Sequence, residues 1–313
     1  MSTIHVRPFR REDRDQLTAL VNAHVQAVVP GASVPVNAVL SQLEREPGEF
    51  VVDPWVNQRV TLVAEQDRRV VAAAHLTRYG PGDDVGAEYR DAAEINWMLF
   101  WPETPSKHRY TNAADTLLAA CLRQMDRWAA RRWYADGALP APGVYGVPEQ
   151  WPHVRSSYER AGFVHNGHTE VVLLATIDDL RVPAAPLSGL VSRRAVGPLG
   201  TRITATREGR FVGYIEVDTN LDHAGRLVRF GAWADICDLH VAEPHRHDGV
   251  AGWLIGTAAQ WLRLAGVARV LAYAWAEHDD ELATLRAAGF GDLTSTARGW
   301  EHPSRRTSAG VHS

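Results

Sequence analysis

The sequence predicts an α/β chain made of two tandem copies of one domain, and three observations carry that expectation. Residues 61–76, TLVAEQDRRVVAAAHL, align without a gap against residues 202–217, RITATREGRFVGYIEV, at a constant offset of 141. The same offset continues to Ala93-Glu94-Ile95 and Ala234-Asp235-Ile236, so that the segment EINWMLFWP faces DICDLHVAE. Both halves then end on a helical pattern stopped by glycine, Tyr158 to Phe163 and Leu285 to Phe290. Several elements repeating in one register point to a duplicated architecture.

Each half reads strand, strand, strand, helix, strand, helix, strand. The first two strands turn at Gln66-Asp67-Arg68 and at Arg207-Glu208-Gly209, and their flanks alternate apolar and polar residues as a hairpin requires. Apolar residues at spacings of three and four mark helices over Ala113–Arg131 and Ala251–Leu264. Short strands follow, Arg132–Ala135 and Arg269–Trp275. The amino half has two extra helical stretches ahead of its hairpin, Arg11–Val28 and Val36–Glu46, whereas the carboxyl half runs from Val191 to its hairpin in about ten residues. That missing cover is expected to be supplied by the amino half. The proline-rich segment 181–189, RVPAAPLSG, reads as a linker between a domain of residues 1–180 and one of 190–302, with a flexible tail at 303–313.

Composition narrows the function classes. Hydrophobic residues make up 45% and charged residues 22%, the balance of an ordinary globular protein. A formal net charge of -4 gives no basic footprint for nucleic acid. Cys121 and Cys237 lie too far apart for a disulfide framework or a zinc ribbon, and no metal ligand set stands out. The amino terminus turns charged before any signal-like apolar run, and no 18-residue apolar stretch occurs, so a cytoplasmic protein without a membrane partner is expected, as a monomer or weak homodimer.

One segment carries chemistry. Between a strand and a helix stands Leu239-His240-Val241-Ala-Glu-Pro-His-Arg246-His247-Asp248-Gly249-Val250-Ala251-Gly252. A diphosphate needs several backbone N–H donors aimed at one spot, and a glycine turn entering a helix supplies them with the positive end of the helix dipole. Each such bond to a charged group contributes about 1.5–3 kcal/mol, so four or five hold a diphosphate without a lysine. The equivalent segment of the amino half, residues 103–115, is about four residues longer and contains no glycine. Lys107, His108 and Arg109 offer charge there, but Cβ atoms obstruct the backbone.

On these residues the chain resembles the GNAT superfamily of acyl-CoA-dependent N-acetyltransferases, in a tandem arrangement. The family signature is Gln or Arg, two variable residues, Gly, one variable residue, then Gly or Ala, and it reads here Arg246-His247-Asp248-Gly249-Val250-Ala251. The resemblance covers nearly the whole chain as two copies, with the strong motif in the second. It implies two domains, each a mixed, mostly antiparallel sheet flanked by helices. It further implies acetyl-CoA, or another acyl-CoA, in the carboxyl half, and a scaffold that contributes to the acceptor pocket in the amino half. The pantetheine arm would lie along Leu239, His240 and Val241 like an added strand, and His278 stands near the place of an asparagine that often bonds it.

The family often sets a carboxylate about eleven residues before the Gln or Arg to take the proton of the acceptor amine. Asp235 occupies that place, as Glu94 does in the other half. Freeing an alkylammonium of its proton near neutral pH costs about 4 kcal/mol, which a base and a desolvating pocket must offset. Asp238 and His240 fall on the opposite face if pairing is regular, and a bulge would re-aim them. The tyrosine that many members use to protonate the departing thiolate is Tyr158 in the amino half, but Leu285 stands there in the carboxyl half. Tyr273 on the neighbouring strand, or an ordered water, is the expected substitute. Two functions compete: an N-acetyltransferase acting on a primary amine of a small molecule, such as an antibiotic or other metabolite, and a non-catalytic acyl-CoA sensor or scaffold. The complete loop with Asp235 favours the first, and Leu285 favours the second.

Overall fold

The computed structural model describes residues 3–44, 55–102, 111–139, 141, 143–219 and 233–303. They form two compact units, one of residues 3–168 with 296–303 and one of residues 169–219 with 233–295.

In the first unit β1 (His5–Pro8) precedes helices α1 (Arg14–Val28) and α2 (Val36–Glu44). The antiparallel meander β2 (Val56–Gln66), β3 (Arg69–Tyr79) and β4 (Ala92–Phe100) follows, with β1 on the free edge of β2. Next come α3 (Thr111–Arg127), β5 (Arg132–Ala135), β6 (Val147–Pro148), α4 (Pro152–Arg160) and β7 (Val164–His165). Helix α1 forms because Leu17, Leu20, Val21 and Val25 recur at helical spacing, and it buries that stripe on β3 and β4. The β2–β3 turn holds Asp67 and Arg68 at φ 51° and 63°, the left-handed pair that suits the twist of a two-residue hairpin. In the other hairpin Glu208 and Gly209 do the same at 50° and 75°.

The second unit contains β8 (Thr169–Thr176), β9 (Leu190–Val196), β10 (Thr201–Arg207), β11 (Arg210–Asp218), β12 (Trp233–Val241), α5 (Val250–Leu264), β13 (Arg269–Trp275), α6 (Asp279–Ala288) and all but the last two residues of β14 (Gly291–Ala297). Leu254, Ile255, Ala258 and Leu262 of α5 bury their stripe with Ile215, Val217, Ala234 and Val270 of the sheet.

Chain order and sheet order diverge at the ends. The first sheet runs β1-β2-β3-β4-β5-β15-β7, where β15 is Trp300–Glu301 from the far end of the chain. The second runs β14-β8-β13-β12-β11-β10-β9, with the short β6 outside β14. The two halves therefore exchange their closing strands. Strand β8 pairs along its whole length with β13, from Thr176↔Arg269 to Glu170↔Trp275.

The units consequently do not follow the expected division at 180 and 190. The segment 181–189, expected to be a linker, lies within the second unit and packs along α5. A Cβ on Gly256 would come within 2.8 Å of both Arg181 O and Pro183 Cδ, so this helical glycine lets the chain run close beside it. Residues 304–313 of the expected tail lie outside the described residues. Among the described residues, no helix is long and apolar enough to cross a membrane.

Candidate functional site

Strands β12 and β13 run parallel and pair only at Trp233↔Arg269, Ala234↔Val270 and Asp235↔Leu271. Past Asp235 the two strands part, and the main chain of Leu239, His240 and Val241 lies along the opened edge. The first sheet opens at the same place, with pairing from Ala92↔Arg132 to Ile95↔Ala135.

Register on the other side of β12 settles which way the side chains point. Val217 pairs with Ile236 and Glu216 with Asp238, so Cys237 is the extra residue of a β-bulge. Regular alternation would place Asp235 and Asp238 on opposite faces. The bulge instead brings Asp235, Asp238 and His240 to one face, opposite Asp218, Glu216 and Tyr214 of β11. That face turns away from α5, because Ile215, Val217 and Ile236 belong to the core beneath the helix. On β13 the core takes Val270, Ala272 and Ala274, which leaves Tyr273 on the side of Asp235. Asn96 is the bulge residue of the first sheet, 141 positions earlier, between the pairs His75↔Trp97 and Leu76↔Ile95.

Asp235 is buried and accepts a hydrogen bond from the Cys237 thiol at 3.2 Å. Burial, then the adjacent Asp235 carboxylate, pushes the Cys237 thiol well above the usual range. Asp238 is half-buried and accepts a hydrogen bond from the Tyr214 hydroxyl. That bond, then burial, raises the Tyr214 hydroxyl. Glu216 is fully buried but fully engaged, accepting from Gly200 N at 3.0 Å and from Arg202 Nε at 2.7 Å.

The loop after β12 enters α5 through Gly249 at φ +78°, a left-handed conformation that disfavours a residue with Cβ by roughly 1–2 kcal/mol. Arg246, His247, Asp248 and Gly249 are exposed, Val250 is buried as the anchor of the first turn, and Ala251 and Gly252 are half-buried. Trp253 N donates to Gly249 O at 3.2 Å, so the amides of Val250, Ala251 and Gly252 precede the helical ladder. A Cβ on Gly252 would meet nothing within 4 Å, and one on Gly249 only Pro186 Cβ at 3.6 Å. Free donors, open space and the helix dipole fit a diphosphate. His278 is exposed just ahead of α6, with its Nδ1 3.2 Å from Glu281 Oε2.

The first unit differs from the second at the strand opening and at the base and acid positions. Its equivalent loop residues Lys107, His108 and Arg109 lie outside the described residues. The opening beside β4 is sealed by its own chain, since Asp136 N donates to Ile95 O at 2.8 Å and Ala138 N to Asn96 O at 3.0 Å. Gly137 is required there because a Cβ would stand 2.1 Å from Gly146 O. Glu94 accepts a hydrogen bond from the Tyr79 hydroxyl, and burial, then the nearby Asp136, pushes its carboxyl up to about 7. Tyr158 is fully buried and donates to Asp136 O at 2.9 Å, so its hydroxyl is committed to the main chain. Leu285 is buried in the core of the second unit.

Sequence reasoning passed over Arg202, Phe211, Tyr214 and Cys237. Tyr214, Glu216 and Asp218 alternate along β11 and could have marked a polar face; the bulge at Cys237 carries no glycine or other local signal.

A family model described as the acetyltransferase (GNAT) family matches residues 178–290. Among solved structures, the chain is similar to a GCN5-related glucosamine N-acetyltransferase region of a fungal multi-domain GH3 beta-N-acetylglucosaminidase, at 15% identity and a TM-score of 0.65 over 96% of this chain and 38% of that one. The chain thus spans well under half of that protein's length. It is also similar to a tandem GNAT protein from the clavulanic acid biosynthesis pathway, at 17% identity and TM-score 0.64, covering 96% of this chain and 98% of that one. A GCN5-related N-acetyltransferase from Sphaerobacter thermophilus matches at 14% identity and TM-score 0.62, over 95% of both chains. These identities speak for the fold alone. No curated protein matches the chain by sequence. Residues 178–290 thus carry the GNAT acetyltransferase family pattern, and the chain has the tandem GNAT fold over nearly its whole length.

Proposed function

We propose that the second unit is an acetyl-CoA-dependent N-acetyltransferase that acts on a primary amine of a small molecule. The observation that carries this reading is the turn at Gly249, where a left-handed glycine, an unhindered Gly252 and the first free amides of α5 lie at the end of a strand parted from its neighbour. Val250, Ala251 and Gly252 would hold the diphosphate through main-chain N–H groups, and Leu239, His240 and Val241 would line the pantetheine arm. Arg246 would lend charge at the mouth.

In this reading Asp235 takes a proton from the acceptor ammonium, with Asp238 beside it on the same face. The freed nitrogen bonds to the thioester carbonyl carbon as the carbon–sulfur bond breaks. The sulfur leaves with the bonding pair and is protonated by Tyr273 or water, and the amine's remaining surplus proton passes to solvent. Asp235, Asp238 and Tyr273 stand on one face across the opening, which supports this division of roles. One of the similar structures is described as a glucosamine N-acetyltransferase region, and an amino-sugar acceptor is compatible with the same arrangement.

The test is calorimetry of acetyl-CoA on the full chain and on Gly249→Asp, together with thiol release in the presence of amines. Binding lost in the variant and thiol released only with an amine support the reading. Undiminished affinity in Gly249→Asp would remove the cofactor assignment, and tight binding without turnover of any amine would leave an acyl-CoA-binding protein.

A further inference from the structure

The duplication supplies an internal control for the face that carries Asp235. At offset 141, Thr61, Val70, Ala73, His75, Trp97 and Leu99 of the first sheet correspond to Arg202, Phe211, Tyr214, Glu216, Asp238 and His240 of the second. The first set is buried throughout, and helix α2 reaches it through Gln42, whose Oε1 accepts the Trp97 indole at 3.2 Å. The second unit has no counterpart of α1 and α2 in its sequence. A face kept for an apolar helix would have retained apolar residues. This one has exchanged them for charges and rings.

Those rings are ordered into a row. Phe211, which is 49% exposed, stacks on the exposed His240 at 6.1 Å and 18°. His240 lies 5.7 Å from Tyr214, and the Arg202 guanidinium covers the Tyr214 ring at 4.1 Å. The row ends at Asp238, which accepts the Tyr214 hydroxyl. Beyond Asp238 lies Asp235. Exposed ring faces attract cations and stack on other rings, while carboxylates hold ammonium groups. Along β12, Asp238 to His240 spans about 7 Å, and Asp235 to His240, less the bulge, about 13 Å.

We infer that the acceptor is an amine with a ring in its body: the nitrogen sits at Asp235 and Asp238, and the ring, about 7–13 Å away, rests on Tyr214, His240 and Phe211. This inference rests on the assignment of acyl transfer to the second unit. Phe211 is then a specificity-determining residue that touches the acceptor far from the reacting atoms.

The experiment compares acetyl transfer by the full chain to 4-phenylbutylamine and to hexylamine, two amines of like charge of which one carries a ring. The ring amine is expected to have a kcat/KM about tenfold higher, as stacking on two rings would give. Phe211→Ala should raise KM for 4-phenylbutylamine about fivefold with kcat held, and leave hexylamine unchanged. Equal kcat/KM for the two amines, or an equal effect of Phe211→Ala on both, overturns the inference. Acetyl-CoA bound with neither amine acetylated overturns it while the cofactor assignment stands; acetyl-CoA not bound removes that assignment and this inference with it. A dimer in sedimentation that Phe211→Ala dissociates would make the row a contact between copies, and also overturns it.

Discussion

The Cys237 thiol donates to Asp235 Oδ1 at 3.2 Å, and Cys237 is the residue that the β12 bulge adds. The side chain that re-aims the strand thus also holds the proposed base. In the first sheet Asn96 occupies the same bulge position.

This bond gives a chemical readout of Asp235. Burial and the carboxylate both keep the Cys237 thiol protonated. Asp235→Asn removes the charge and should speed alkylation of Cys237 by iodoacetamide by about tenfold, the effect of one pKa unit on the thiolate fraction. Peptide mass spectrometry reads the rate, and an unchanged rate would separate Asp235 from the thiol.

Gly252 separates folding from binding. The space around its missing Cβ is empty, so Gly252→Ala should keep or raise the thermal midpoint, because alanine favours a helix interior by up to about 1 kcal/mol. The same methyl would stand where a diphosphate approaches the first turn, and acetyl-CoA affinity should fall by about tenfold or more, the loss of one charge-assisted hydrogen bond. Scanning calorimetry and titration calorimetry check the two halves of this prediction.

Acid should weaken the first unit. Burial lowers His24 to about 3, His75 to about 3 and His153 to about 4, and His24 Nε2 lies 3.1 Å from His153 Nε2. Between the ordinary histidine value and those lowered ones, the unfolded chain binds protons that the folded chain refuses. Stability therefore falls as pH drops below about 6.5, by up to about 1.4 kcal/mol per pH unit for each histidine. Glu94 acts in the opposite sense, because its raised carboxyl takes a proton in the folded state below about 7 while the unfolded glutamate does so near its ordinary value. Glu94→Gln should make the loss on acidification steeper. Urea midpoints at neutral and mildly acidic pH measure both slopes, and identical slopes would remove Glu94 from this balance.

Periodicity made most elements legible in advance. The hairpins, α5 and the glycine stops stand where spacing and turn residues placed them, because each is set by residues within a few positions of one another; α3 ends at Arg127, short of the expected Arg131, where Ala129 turns to φ 53°. The loop at Gly249 was legible for the same reason. Asp238 and His240 were assigned only conditionally, since a single extra residue in a strand reverses every later side chain and the offset of 141 passes through both bulges undisturbed.

By itself, the sequence determined that the chain is a duplication, that the second copy alone carries a glycine turn suited to a diphosphate, and that Asp235 stands where Glu94 stands in the first. Tertiary structure decided that β8 and β15 cross into each other's sheets, that Asp136 and Ala138 seal the first opening, and that Asp235 and Asp238 share a face. The reason is physical. Local pattern fixes what a segment becomes, but which edge a strand joins depends on hydrogen bonds and burial offered by residues more than a hundred positions away.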